Sequence, residues 1–234
     1  MRVFFLSLIL GSLPVLAAAE ADPAEPGLQQ AGPEDPPTAR SGVAQLAQAH
    51  ELFALGQAQG DALMVLAAAR MAAGVSTEPG SELKRQTSGP AAPGQAPEPV
   101  REPAEAPEFY TRALAMAGDD PLLLELIGQA PAGSSQGQSR RVFAYKADLA
   151  PGQTDSWELA VTGQDNVEIA VLGAGNQELT VSLSDASGQL HCAGSGPGSQ
   201  IYCDAHPAPE GRLSLTIGNP GAAASRYLLL TNGP

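Results

Sequence analysis

From about residue 140 to the end of the chain, apolar side chains recur at every second position, and that period leaves few architectures open. Trp157, Leu159 and Val161 alternate with Glu158 and Ala160, and Val167, Ile169 and Val171 alternate with Glu168 and Ala170. Leu179, Val181 and Leu183 repeat the pattern, as do Leu213, Leu215 and Ile217. A period of two places each set on one face of a strand. Between the runs stand Pro151-Gly152, Gly173 to Asn176, Ser187-Gly188 and Asn219-Pro220-Gly221, all of them turn chemistry. Six to eight short strands in roughly 95 residues predict an antiparallel β-sandwich over 140–234.

Upstream the period is helical. Val43, Leu46, His50 and Phe53 fall on one face of a proline-free, Ala/Leu/Gln-rich stretch. Gly60 is placed to end a first helix, Asp61 to cap a second and Gly74 to end that one, so 38–75 reads as an αα-hairpin. A second hairpin is expected over 107–130, with Gly118 as a stop, Asp120 as a cap and Pro121 at the first helical position. Capping explains the Asp119-Asp120 pair better than catalysis or cation binding does. Both hairpins carry a Gly-Asp break followed by a Leu-rich helix, which resembles a degenerate helical repeat of the tetratricopeptide class. Two such hairpins are expected to pack as a small four-helix unit, giving an α+β chain of several parts. Proline- and glycine-rich stretches at 20–37, 76–106 and 131–139 are expected to be a disordered acidic leader and two linkers.

Composition and the first residues bound the compartment. "MRVFFLSLILGSLPVLAAAEA" has an early Arg2, an apolar run to Leu16 and the small-x-small site Ala17-x-Ala19. This reads as a signal peptide over 1–19, and its apolar run is too short for a membrane span. A periplasmic or secreted location in a Gram-negative bacterium follows, with no membrane insertion after signal cleavage. Twelve Lys and Arg against 25 Asp and Glu give a formal charge of −13, which argues against nucleic acid as a partner.

The segments "PGQTDSWELAV", "VEIAVLGAGNQELTVSLSDASGQLHC", "YCDAHPAPEGRLSLTIGN" and "SRYLLLTN", in that order, resemble the bacterial pre-peptidase C-terminal domain over 140–232. The turn from Asp185 to Gly188, the Pro207 to Gly211 turn and the closing Asn219, Tyr227 and Thr231-Asn232 carry the likeness. It implies an exported, jelly-roll-like β-sandwich of the kind appended to secreted hydrolases. Where many members carry Asp-Leu-Asp, this chain has Glu178-Leu179-Thr180, and where an aromatic commonly precedes the proline it has His206. The resemblance therefore implies a fold and not a calcium site.

Two cysteines remain, in "HCAGSGPGSQIYC". Export favours oxidation, and Cys192 and Cys203 are read as a structural disulfide closing a hairpin-like loop. Two alternatives stand beside it. A zinc site would need His191, Cys192, Cys203 and His206 to converge, although neighbouring strand residues face opposite ways unless a bulge intervenes. A redox pair normally has the tighter Cys-x-x-Cys spacing. No catalytic, cofactor or metal residue is assigned: no nucleophile elbow, zinc-protease helix, phosphate loop or dinucleotide fingerprint occurs. His50 lies on an apolar stripe and reads as packed, and Trp157 reads as a core anchor.

The function expected from the sequence is a non-enzymatic exported protein. Its helical-repeat unit would contact protein, its accessory sandwich would bind, and its partner would be an envelope protein or a polymer. A subunit or remnant of a secreted peptidase system, and a hydrolase of unknown type, are the alternatives.

Overall fold

The computed structural model describes residues 41–89, 105–129, 141–161, 166–173, 178–197, 200–207 and 211–233. The expected signal peptide, the acidic leader, the linker at 131–139 and the stretch from 90 to 104 lie outside the described residues, as does the middle of the Pro207 to Gly211 turn.

Four helices come first: α1 (Gly42–Gln59), α2 (Ala62–Ala73), α3 (Ala106–Ala117) and α4 (Pro121–Gly128). Their ends are fixed by local chemistry. Ser41 accepts from the Ala44 N–H at 3.0 Å, and Asp61 accepts from Met64 at 3.0 Å. Asp120 takes the Leu122 and Leu123 N–H groups at 2.9 and 3.2 Å, with Pro121 at the first helical position. Each cap satisfies amides that the helix leaves unpaired. Gly60 ends α1 at φ 70°, a conformation that a β-carbon disfavours.

Ten strands follow the α1–α2 pair or intervene in the helical region: β1 (Thr77–Pro79), β2 (Lys84–Ser88), β3 (Val142–Leu149), β4 (Thr154–Ala160), β5 (Val167–Gly173), β6 (Glu178–Asp185), β7 (Leu190–Pro197), β8 (Gln200–Ala205), β9 (Arg212–Gly218) and β10 (Ser225–Thr231). They form two five-stranded sheets, β1-β3-β10-β5-β8 and β2-β4-β9-β6-β7. The eight strands from β3 onward are interleaved between the sheets in jelly-roll order. The alternating residues meet between the sheets, where Leu159, Ile169, Val181, Leu183, Leu215 and Ile217 are buried.

Two features differ from the sequence expectation. The stretch expected as linker contributes strands at both sheet edges: β1 pairs parallel with β3, and β2 pairs antiparallel with β4. This strap passes so close to Tyr145 that a β-carbon on Gly80 would come within 2.1 Å of the ring. Its strands are wholly exposed and lack an apolar period, so no hydrophobic pattern announced them. Second, the four helices pack together as expected but share their core with a sheet. Val142, Ala170, Leu172, Leu228 and Leu230 project from the outer face of the β1-containing sheet into the helical core. Burial of each large aliphatic chain contributes roughly 1.5–3 kcal/mol before entropy, so this shared layer does much to hold the helices in place. β5 and β10 are consequently buried along almost their whole length, whereas β6 and β9 alternate buried residues with Ser and Thr.

Candidate functional site

The two cysteines are bonded, with their Cα atoms 6.1 Å apart. The bond does not close a hairpin. β7 pairs with β6 and β8 with β5, so Cys192 and Cys203 belong to opposite sheets and the bridge ties them across the core. The strap joins the sheets at the β3/β4 edges, and the disulfide joins them at the β7/β8 edges.

The histidines of this stretch are apart in role. Ser184 pairs with Leu190 and Leu183 with Cys192, leaving His191 as the extra residue of a bulge. Its Nε2 lies 3.6 Å from Asp185 Oδ2. Asp185 Oδ1 accepts from Ser187 Oγ at 2.6 Å, Ser187 N at 2.9 Å and Gln189 N at 3.0 Å, which builds the β6–β7 turn. The Ser187 hydroxyl is the foremost cause holding that carboxylate below its usual range. His206 is 71% exposed and 4.0 Å from Asp204. With both sulfurs in the bridge, the four residues do not form the zinc set considered above. Among the described residues no group of three or more His, Cys, Asp or Glu is arranged to hold a metal.

A buried polar network anchors the strap. Asp155 is fully buried and accepts from Thr87 Oγ1 at 2.6 Å, Arg85 Nε at 2.8 Å and the Tyr227 hydroxyl at 2.5 Å. Trp157 Nε1 donates to that hydroxyl at 2.8 Å, and Arg85 also reaches the Asp148 carbonyl at 2.6 Å. Burial first, then Asp155, pushes the Tyr227 phenol far above its ordinary value, so it remains a donor. Trp157 is the core anchor expected of it. Arg85, Thr87 and Asp155 were not singled out in the sequence, because a single Arg in a polar stretch carries no visible partner.

The open site lies elsewhere, between α1 and β8. A cleft of about 380 Å³ is lined by Ala44, Ala47, Gln48 and Glu51 of α1 and by Gln200 and Tyr202 of β8. Each set follows from its element's period: steps of three and four residues share a helix face, and a step of two shares a strand face. Ile201 and Cys203, at the intervening positions, pack into the sandwich. The small lining residues are Ala44 and Ala47; Ala170 of β5, beside Tyr202 in register, is buried in the helical core.

A polar cluster fixes this end of α1 to the sheet. Ser41 Oγ donates to Glu168 Oε2 while capping the helix, which sets a carboxylate at the positive end of the α1 dipole. Glu168 is itself only 6% exposed. Its Oε1 accepts from Asn166 Nδ2 at 3.1 Å, and its N–H donates to Asn232 Oδ1 at 2.9 Å. Tyr202 is 41% exposed, yet its hydroxyl reaches inward to Ser41 and Glu168. Burial, then the charges of Glu168 and Asp204, raise its phenol to about 12. The hydroxyl is thus a fixed donor and the ring an oriented plate at the cleft mouth. The sequence reading did not identify this site. Its one signal was the placement of small and polar residues at 44, 47, 48 and 51, beside an apolar stripe that drew attention instead.

No family model and no curated protein matches the chain. Solved structures align with part of it. The crystal structure of PirA aligns with 38% of this chain and 92% of its own at 13% identity and TM-score 0.29. The carbohydrate-binding module CBM36, in complex with calcium and xylotriose, aligns with 37% of this chain and 86% of its own at 10% identity and TM-score 0.25. A family two carbohydrate esterase from Cellvibrio japonicus aligns with 39% of this chain and 27% of its own at 15% identity and TM-score 0.25. The class defined by the fold is a jelly-roll β-sandwich with a helical layer on one sheet. What that layer does must be argued from its side chains.

Proposed function

We propose that this is an exported, non-enzymatic binding module whose ligand lies in the α1–β8 cleft and is an envelope polymer. The observation that carries the reading is the convergence on one open cleft of an oriented aromatic ring and three long polar side chains, supplied by elements about 150 residues apart in sequence. A stretch of chain that only closed the sandwich would not need Tyr202 half-exposed with its hydroxyl held from behind.

Export is supported by the sequence of the first residues and by the Cys192–Cys203 bond, since such bonds persist in oxidising compartments. No helix among the described residues is long and apolar enough to cross a membrane. The helices on this reading are the second wall of the cleft. They are not a free-standing protein-contact repeat.

Co-sedimentation with purified, insoluble envelope polymer tests the reading. The whole chain is expected in the pellet, and Ala44→Trp, which fills the cleft, is expected in the supernatant while still folded by circular dichroism. Equal pelleting of the two, or no pelleting of either, would overturn it.

A further inference from the structure

The chemistry of the cleft narrows the ligand, given that the cleft is the binding site. We infer that it takes a neutral polyhydroxylated chain, an oligosaccharide, with one sugar ring laid against Tyr202.

Three other classes of ligand fit the lining poorly. A polyanion would meet Glu51 in the cleft, the Glu168–Asp204 pair behind Tyr202 and a chain that carries −13 overall, with no cation among the lining residues. An apolar ligand would bury the amide of Gln200 without returning its hydrogen bonds, which costs about 1–3 kcal/mol for an unsatisfied group. A basic peptide would need carboxylates placed for it. Glu168 is already committed to Ser41, Asn166 and Tyr202, which leaves Glu51 as the one carboxylate among the lining residues.

Sugar hydroxyls both donate and accept. The Gln200 amide, with both donor and acceptor atoms, and the acceptor-only Glu51 carboxylate match such a surface. The flat apolar face of a pyranose needs an aromatic plate and little depth, and the Ala44 and Ala47 floor beneath an exposed Tyr202 ring supplies both. Because the Tyr202 hydroxyl points inward to Ser41 and Glu168, the contact falls on the ring and does not depend on the phenol as a ligand-facing donor.

The test uses the whole chain on an array of immobilised neutral oligosaccharides, acidic oligosaccharides and a lysine-rich peptide, with the exposed His206→Ala as a matched control. At least one neutral oligosaccharide is expected to bind. Tyr202→Ala should weaken that binding about tenfold or more, while Tyr202→Phe, which keeps the ring, should hold it within about threefold. Glu51→Gln, which keeps the size and an acceptor but removes the charge, should also stay within about threefold, and 0.5 M salt should change little. Preferential binding of the lysine-rich peptide, lost in both Tyr202→Ala and Glu51→Gln, would overturn the sugar class and leave the cleft standing. Binding of any probe that is insensitive to Tyr202→Ala, or binding of none, would overturn the cleft as well.

Discussion

Asp155 shows what a single residue can decide. A carboxylate with no exposed surface is tolerable only when charged and hydroxyl donors surround it, and here Arg85 supplies the positive charge from outside the sandwich sequence. Removing one partner of such a pair typically costs about 3–5 kcal/mol. Arg85 is partly solvated, which places the expected cost of Arg85→Ala at the lower end, near ~3 kcal/mol by chemical denaturation. A loss under about 0.5 kcal/mol would mean that the strap is ornamental. His50 offers a second test at this scale. It packs edge-on against Phe109, 5.1 Å between ring centres, and burial lowers its pKa to about 4. The unfolded chain takes up this proton from about pH 6.5, whereas the folded chain resists it until about pH 4. Unfolding therefore binds a proton in that window, and stability falls as the pH drops through it. The slope reaches at most about 1.4 kcal/mol per pH unit. Thermal melts from pH 7 to 4.5 should show this slope, and His50→Leu should flatten it.

Among the elements, what was legible in the sequence follows how each is stabilised. Helix ends were readable because Gly60, Asp61, Asp120 and Pro121 act through their own backbone neighbours. Strands β4, β6 and β9 were readable because one face is apolar and the other is not. β1 and β2 were not, since they are held by edge hydrogen bonds and by the Arg85–Asp155 contact, neither of which leaves a period in the sequence. The cysteine pair was legible as a bond. Its place was not, because the turn between Cys192 and Cys203 looks the same whether the chain folds back within a sheet or crosses to the other. The bridge that results closes a loop of 11 residues in sequence and is expected to contribute about 3 kcal/mol. Replacing both Cys192 and Cys203 by Ser should lower the denaturant midpoint accordingly. Alkylation of the native protein should label no thiol before reduction; two labelled thiols would contradict the bond.

At the scale of the whole molecule, the two sheets have different outward faces. One sheet is apolar on part of its outer face, at Val142, Ala170, Leu172, Leu228 and Leu230, and is covered there by helices; where that apolar surface gives out, at β8 and the start of β5, the polar cleft begins. The other sheet turns Thr180, Ser182, Ser214 and Thr216 outward, the ordinary solvated face of a sandwich. The site could not be read from either half of the sequence alone. It exists only once α1 lies across the sheet edge, and Glu168 and Ser41, which set that placement, are 127 residues apart. The central claim is that ligand is bound at this boundary between helix and sheet. Hydrogen–deuterium exchange of the whole chain, with and without the envelope polymer, reads it directly. Slower exchange confined to residues 42–53 and 200–205 is the predicted result. Protection on the Thr180, Ser182, Ser214 and Thr216 face, with α1 and β8 unchanged, would contradict it.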